Sequence, residues 1–208
     1  RTLGDAEMLM AGGYGDTSGF GSMIPLPSAI ASLAREHGGV VLVDDEGAPV
    51  AAVATDGSLR RIGHPASGSF RSLYRAPAAV SSPTPRIGVL LDRPLLAPEV
   101  SALAELGEDA SLLLLTRTVD PQVPAEVLIK ATMAAAGQLP SALVVAVPFG
   151  RRDDTEADAA LARVVLHSYG AEAVDVLEDD AAWQDVRAAL DHGDDAALSS
   201  LLDPASLT

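Results

Sequence analysis

The chain has 208 residues, of which 48% are hydrophobic, and 14 Lys and Arg residues against 29 Asp and Glu residues give a net charge of −15. Such an acidic chain is a poor partner for nucleic acid, whose phosphates need a basic surface. Its uncharged apolar runs are only of strand length, so no membrane-spanning segment is expected. Because the chain has no cysteine, a disulfide and a thiolate metal site are excluded. No secretory leader is visible, and we expect a cytoplasmic protein.

The first part of the chain, over residues 1–80, predicts a small α+β domain. Two apolar runs, Val40–Val43 and Val50–Val53, flank the acidic turn D-D-E-G and predict a β-hairpin. Short helices are predicted beside this hairpin, over Ala29–Arg35 and Ser69–Tyr74.

After a proline-containing linker at Ala76–Pro85 the pattern changes, and residues 86–208 predict a second domain. Apolar strands alternate there with helices. The predicted strands are Ile87–Leu91, Leu112–Leu115, Leu143–Val147 and Val174–Leu177, and the helices are Pro98–Leu106, Ala125–Ala136, Thr155–Tyr169, Trp183–Leu190 and Asp195–Leu202. This alternation predicts an α/β doubly wound parallel sheet, in which ligands bind at the carboxyl ends of the strands.

Two segments carry a family resemblance. Asp5 to Gly21 reads D-A-E-M-L-M-A-G-G-Y-G-D-T-S-G-F-G, and it resembles the D-L-E-L-L-x-x-G-G-F-x-P-L-T-G-F signature that opens the PUA-like N-terminal domain of ATP sulfurylases (sulfate adenylyltransferases). Val123–Val127 resembles the D-V-P-A-E-V-R helix start of the same family, and Gly150–Ala171 ends in a shared Tyr-Gly-Ala. The resemblance implies a PUA-like domain over residues 1–80 and a degenerate ATP-sulfurylase-like, nucleotidyltransferase-fold domain over residues 86–208.

The residues that carry this family's chemistry are replaced here. An ATP sulfurylase has Q-T-R-N-P-L-H-x-x-H after the first strand of the sheet, whereas this chain has L-L-D-R-P-L-L-A-P-E from Leu90 to Glu99. Leu96 and Glu99 stand where the family has its two histidines, and neither side chain donates a hydrogen bond to a developing negative charge. The resemblance therefore implies no catalytic residue and a pseudoenzyme that has lost sulfate adenylyltransferase activity.

Three functions follow from this interpretation. The leading hypothesis is an ATP-sulfurylase-like protein, without enzymatic activity, that acts as a binding or partner-docking module for another protein. The first alternative is a diverged nucleotidyltransferase that acts on ATP and an anionic acceptor. The second alternative is a structural homo-oligomeric protein.

Three arginines that follow predicted strands are the candidate nucleotide- or anion-binding residues: Arg93, Arg151 and Arg152. Together they would line an anion cleft at the strand ends, or they would merely balance neighbouring acids such as Asp92. Because the chain has neither a Walker loop nor a G-x-G-x-x-G motif, no cofactor is expected. Binding of ATP or Mg²⁺ stays an alternative. Four aspartates could supply oxygen ligands for Mg²⁺, and the alternative is that they are ordinary helix caps: Asp153, Asp154, Asp179 and Asp180.

Overall fold

A computed structural model of the chain describes residues 1–63, 68–80, 86–107, 110–173 and 180–192. The helices are α1 (Thr2–Ala11), α2 (Ser28–His37), α3 (Ala97–Gly107), α4 (Ala125–Ala136), α5 (Thr155–Ser168) and α6 (Asp180–His192). The strands are β1 (Val40–Val43), β2 (Pro49–Val53), β3 (Leu59–Arg61), β4 (Arg86–Leu91), β5 (Ser111–Val119), β6 (Ala142–Gly150) and β7 (Ala171–Ala173). The predicted strand Val174–Leu177 and the predicted helix Asp195–Leu202 lie outside the described residues.

Within these ranges, no helix combines the length and the apolar character needed to cross a membrane. The predicted helix Ser69–Tyr74 is a 3-10 segment, Gly68–Leu73, and a second 3-10 segment covers Pro77–Ala79 within the predicted linker. The rest of that linker, residues 81–85, lies outside the described part. The division of the chain into domains at this point stays a prediction.

The first sheet is antiparallel, with strand order β1-β2-β3. Its first turn closes because the Asp44 carboxylate accepts hydrogen bonds from the backbone N–H groups of Glu46 and Ala48, at 3.1 and 2.8 Å. Gly47 follows with φ of 82°, a conformation that glycine adopts without steric cost. The acidic turn is therefore a local hydrogen-bonding device that fixes the β1–β2 hairpin.

The second sheet is parallel, with strand order β6-β5-β4-β7. The order reverses at β4, because β5 lies on one side of it and β7 on the other. In open α/β sheets such a reversal opens a crevice outside the carboxyl ends of the strands, and ligands bind there. This edge of the sheet, beyond β4, β5 and β6, is called the carboxyl edge below.

Helices cover both faces of the parallel sheet. Along β5, Leu112 and Leu114 belong to a buried cluster that includes Leu103 of α3, whereas Leu113 and Leu115 belong to a second cluster that includes Val165 of α5. All four leucines are fully buried. A strand buried on both faces needs apolar residues at every position, which explains the uninterrupted run in the sequence.

The prediction of a PUA-like N-terminal domain is wrong. The described residues before the parallel sheet form α1, α2, one small antiparallel sheet and the two 3-10 segments, and α1 packs into the α/β core. Met8 and Leu9 of α1 share a buried cluster with Val147 of β6. Gly4 lies so close to the Pro148 carbonyl oxygen that an added Cβ would collide with it. The first helix therefore packs against the parallel sheet, because its apolar face and this glycine allow close contact with β6.

Candidate functional site

Charged side chains crowd the carboxyl edge, and four arginines there are paired with four carboxylates. The pairs are Arg93 with Glu99, Arg117 with Asp158, Arg151 with Asp92, and Arg152 with Asp5. These eight residues are called the strand-edge network below. Its formal charges balance, so an anionic ligand can enter only where an arginine is free to exchange its partner.

The pair formed by Arg93 and Glu99 is the most deeply buried. The side chains are 1% and 7% exposed, and the guanidinium donates two hydrogen bonds to the carboxylate, at 2.9 and 2.7 Å. Glu99 also accepts from the backbone N–H of Leu96 at 2.7 Å, which caps the start of α3. The arginine lies 5.8 Å from the ring centroid of Trp183. Arg93 is thus enclosed by these contacts, and its side chain is not accessible to a ligand.

Arg152 joins the first helix to the end of β6. Its guanidinium donates to both oxygens of Asp5, at 2.9 and 2.6 Å, and to the Tyr14 hydroxyl at 3.0 Å. The Tyr14 hydroxyl donates to Asp5 at 2.6 Å. Burial, together with the charge of Asp5, raises the pKa of Tyr14 above its ordinary value. Burial alone would lower the pKa of Arg152, but the hydrogen bonds and charge of Asp5 raise it. Asp5 and Tyr14 of the first sequence motif therefore clamp α1 onto the parallel sheet.

Arg117 is a member of the network that sequence reasoning missed. β5 was predicted to end at Leu115, but it continues to Val119, and this extension carries Arg117 into the carboxyl edge. Its guanidinium donates to Asp158 at 3.1 and 2.5 Å and lies 4.2 Å from the ring centroid of Phe149. The signal available in the sequence was the alternation of Thr116, Arg117 and Thr118 after the leucines, which is compatible with a longer strand.

Arg151 is the accessible arginine of the three predicted residues. Its side chain is 51% exposed, whereas those of Arg93 and Arg152 are 1% and 15% exposed. It donates to the Asp92 carboxylate, which also receives Gln122 Nε2 at 3.4 Å. The backbone N–H of Gln122 donates to the Asp92 carbonyl at 2.8 Å. Asp92 therefore connects the exposed arginine to the segment just before α4.

The helix starts at this edge differ in how they are capped. Glu99 caps α3, and Asp154 caps α5 by accepting from the backbone N–H of Ala157 at 2.9 Å. Helix α4 has Pro124 at its N-cap and no side-chain cap. The first N–H groups of an uncapped helix start attract anions, because they carry the positive end of the helix dipole. Among these three helices, α4 is thus the one whose start has no side-chain cap, and Glu126 lies in its first turn.

One buried polar atom at the carboxyl edge lacks a partner. Thr116, on β5 opposite Leu91 of β4, is fully buried. Within the described ranges its hydroxyl is the buried side-chain polar atom without a hydrogen-bond partner. Buried hydroxyls are normally paired, so this atom marks a place where water or a ligand would complete the bonding.

The predicted magnesium ligands are not gathered into a cluster. Asp153 is 97% exposed and lies 3.6 Å from Arg1, while Asp154 serves as the cap of α5. Asp179 and the side chain of Asp180 lie outside the described part. Among the residues that the structure describes, no group of three or more His, Asp or Glu side chains could hold a metal ion.

Two shallow clefts lie away from the strand-edge network. One, of about 490 Å³, includes His37, Val41 and Arg60 in its lining, and the other, of about 450 Å³, is lined by the turns around Ser18 and Gly57. Both belong to the antiparallel sheet region and contain no member of the network. The carboxyl edge is the stronger candidate site, because paired charges, an uncapped helix start and, among the described residues, the unpaired buried hydroxyl of Thr116 lie there.

Comparison with known proteins places the fold. No protein-family model matches the chain, and no curated protein matches it. The chain is similar to the solved structure of a hexameric APS kinase from Thiobacillus denitrificans, with a TM-score of 0.64 and 16% sequence identity over 82% of this chain and 44% of that one. At this identity the likeness shows the fold alone, an α/β fold shared with that structure. The chain spans less than half the length of the structure that it matches.

This comparison overturns the family assignment made from the sequence. The matching structure is described as an APS kinase and not as an ATP sulfurylase, so the ATP sulfurylase identification is wrong. The fold description built on it, a PUA-like domain followed by a nucleotidyltransferase-like domain, is wrong too. The pseudoenzyme hypothesis is therefore wrong as well. Its two alternatives, a diverged nucleotidyltransferase and a structural homo-oligomer, do not fit either.

Proposed function

We propose that this chain is a nucleotide-binding domain of kinase-like α/β fold, and that it binds the phosphates of ATP at the carboxyl edge. The fold likeness to an APS kinase supports a nucleotide as the ligand, because a kinase takes its phosphoryl group from a nucleoside triphosphate. The strand order supports the location, because it reverses at β4 and ligands bind at such reversals.

The observation that carries the proposal is the exposure of Arg151. The arginine side chain is half exposed while it contacts Asp92, so a phosphate can approach it from solvent and compete with the carboxylate. A guanidinium binds two phosphate oxygens in a fork, which makes arginine suited to this exchange. Arg93 and Arg152 are instead enclosed with their carboxylates and would hold the edge in shape.

The start of α4 supplies the second contact. Gln122 bonds to Asp92, which in turn bonds to Arg151, so the arginine and the uncapped helix start at Ala125 lie along one connected stretch of the edge. Two backbone N–H groups at that start, of Ala125 and Glu126, precede the first intrahelical bonds. They would donate to a phosphate that Arg151 holds from the other side.

Binding of this kind differs from binding by a glycine-rich phosphate loop. The segment after β4 reads D-R-P-L-L from Asp92 to Leu96 and contains no glycine. Its backbone therefore cannot wrap a phosphate as such loops do. The net charge of −15 also repels a polyphosphate, and we propose that ATP arrives as its magnesium complex, to which the Asp92 carboxylate would contribute an oxygen ligand.

Isothermal titration calorimetry with Mg²⁺ and ATP tests the proposal. The wild-type chain should bind ATP, and Arg151→Ala should weaken the affinity about tenfold, the loss expected for one charge-assisted contact. Arg163→Ala is the matched control, because Arg163 is an exposed arginine on α5, and it should leave the affinity unchanged. Absence of binding by the wild type, or equal losses in both variants, would overturn the proposal. APS titrated in the same way would show whether the site also accepts a nucleotide with a single phosphosulfate group.

We also propose that the chain associates with copies of itself. The support is the hexameric assembly of the structure that it resembles. Sedimentation velocity across the micromolar range tests this, and a species of 21.3 kDa at every concentration would contradict it. This part of the proposal is independent of ATP binding.

A further inference from the structure

We propose that the open edge of β1 is the surface through which two copies of this chain pair, strand against strand. The inference rests on the proposed self-association and names its surface. Two β1 strands would run antiparallel across a two-fold axis at Val41 and would join two three-stranded sheets into one of six strands. The occupant of the edge is therefore a second copy of the chain.

The hydrogen-bonding direction of β1 follows from the bonds at the far side of its sheet. Ile62 N donates to Val50 O at 2.8 Å, so the backbone groups of Val50 face β3. In an antiparallel ladder successive residues face opposite neighbours, and Ala51 therefore faces β1. Leu42 of β1 is paired with Ala51, so the backbone N–H and C=O of Leu42 face β2. Val41, next in the chain, must then direct its N–H and C=O away from β2, toward the open edge.

No other strand within the described ranges pairs with β1 on that side. Two residues facing each other across a two-fold axis exchange both of their backbone bonds when each directs its N–H and C=O at the other. Val41 meets this condition, because both of its groups point outward. The pairing would satisfy backbone groups that the isolated sheet leaves to solvent.

The composition of β1 fits pairing better than exposure. Val40–Val43 reads V-V-L-V, and Val41 and Val43 are 53% and 51% exposed. Natural sheets usually protect open edges with charges or prolines, and β1 has neither. The opposite edge strand, β3, has that protection in Arg60 and Arg61, both exposed. In the parallel sheet β6 is covered differently, by a bridge between Tyr74 and Ala146.

Charge complementarity supports a second copy as the occupant. The chain before β1 ends α2 with exposed Arg35 and His37, and Glu36 between them lies 4.0 Å from His37, while the chain after β1 carries two exposed acids, Asp45 and Glu46. With the axis at Val41, the antiparallel register places Asp45 of one copy opposite His37 of the other. Each end of the paired strands would then bring the acidic turn of one copy beside Arg35 and His37 of the other.

A cysteine at the axis tests the geometry directly, because the natural chain has none. Directly opposed residues with exchanged hydrogen bonds have Cα atoms about 5.5 Å apart, within the separation of about 4.4–6.8 Å that a disulfide spans. Under mild oxidation Val41→Cys should form a covalent dimer of twice 21.3 kDa. Val127→Cys is the matched control, because Val127 on α4 is similarly exposed at 51%, and it should stay largely uncrosslinked.

A charged residue at the two-fold axis provides a second test of the proposed pairing. Val41→Lys should abolish the dimer in sedimentation velocity by placing two like charges in contact, whereas Val41→Thr should keep it. Circular dichroism would confirm that both variants are folded. A wild-type assembly that Val41→Lys leaves intact, with no crosslinking by Val41→Cys, overturns the surface while self-association stands. A wild-type monomer overturns both, and a monomer that binds an extended peptide along β1 overturns the second copy as occupant.

Discussion

The carboxyl edge of the parallel sheet and the open edge of the antiparallel sheet handle exposed polarity in opposite ways. At the carboxyl edge four arginines are matched by four carboxylates, and one of the arginines, Arg151, keeps half of its side chain in solvent. At the open edge of β1 the side chains are apolar, and the backbone carries the unpaired polar groups. The first edge is thus suited to exchange one charge for another, and the second to extend a sheet.

The buried pair of Arg93 and Glu99 is predicted to stabilise the fold and to give the largest effect when it is broken. Glu99→Ala would leave the guanidinium of Arg93 buried and without its carboxylate, and an uncompensated buried charge costs about 3–5 kcal/mol of unfolding free energy. Urea unfolding measures this. Glu105→Ala, on the exposed face of the same helix, is the matched control and should change the free energy little. The double variant Arg93→Met with Glu99→Leu should recover most of the loss, and a single variant as stable as the wild type would refute the structural role.

The clamp between α1 and β6 is predicted to contribute the next largest effect. Asp5→Ala removes the acceptor of both Arg152 bonds and of the Tyr14 hydroxyl, and losing bonds to a charged group costs about 2–3 kcal/mol. Tyr14→Phe keeps the ion pair and should cost only about 1 kcal/mol. Both are measured by chemical unfolding. Equal losses in the two variants would show that the ion pair contributes nothing beyond the hydroxyl.

Glu7 gives a pH-dependent test of how α1 is buried. Burial raises the pKa of Glu7 from 4.5 to about 7, although the charge of Arg61 opposes the shift. A carboxyl group whose pKa is raised on folding favours the folded state when it is protonated, so its contribution is full below pH 4.5 and is lost as the pH rises through about 7. Glu7→Gln should therefore lose less stability than the wild type over this interval in unfolding measured against pH. Parallel pH profiles would show that Glu7 is solvated in the folded chain.

Arg151→Ala should have the smallest effect on stability. It therefore distinguishes the exposed Arg151 from the enclosed Arg93 and Arg152. The pair joins a half-exposed arginine side chain to the largely buried Asp92, which keeps its contact with Gln122 Nε2 when the arginine is removed. Thermal unfolding without ATP should therefore show a smaller loss than Glu99→Ala causes, while ATP affinity falls. A large loss of stability without ligand would place Arg151 among the structural arginines with Arg93 and Arg152.

Local patterns in the sequence predicted the secondary structure of this chain better than they predicted the site. The helix Ala125–Ala136 is confirmed at both ends, because its apolar spacing and the preceding proline are local signals. β3, only three residues long with two arginines, gave no such signal and was missed. The motif around Asp5 and Tyr14 was read as a family signature, whereas the structure uses both residues to hold Arg152, which lies 147 residues from Asp5.

The candidate site was predicted only in its residue types. Arg93, Arg151 and Arg152 do lie at the carboxyl edge, because strand ends can be located from sequence. Their roles differ through burial and through partners such as Glu99 and Asp5, and these depend on packing that no local pattern encodes. Arg117 was missed because β5 was predicted to end at Leu115, although the alternation after Leu115 is compatible with a longer strand, and this extension pairs with β6.

Hydrogen exchange of the protein with and without Mg²⁺ and ATP, followed by mass spectrometry, tests the proposed site most directly. The proposal predicts slower exchange in peptides that cover residues 120–128 at the start of α4 and residues 150–152 after β6, with the antiparallel sheet unchanged. ATP-dependent protection confined to the turns around Ser18 and Gly57, or no protection anywhere at saturating ATP, would contradict a nucleotide site at the carboxyl edge.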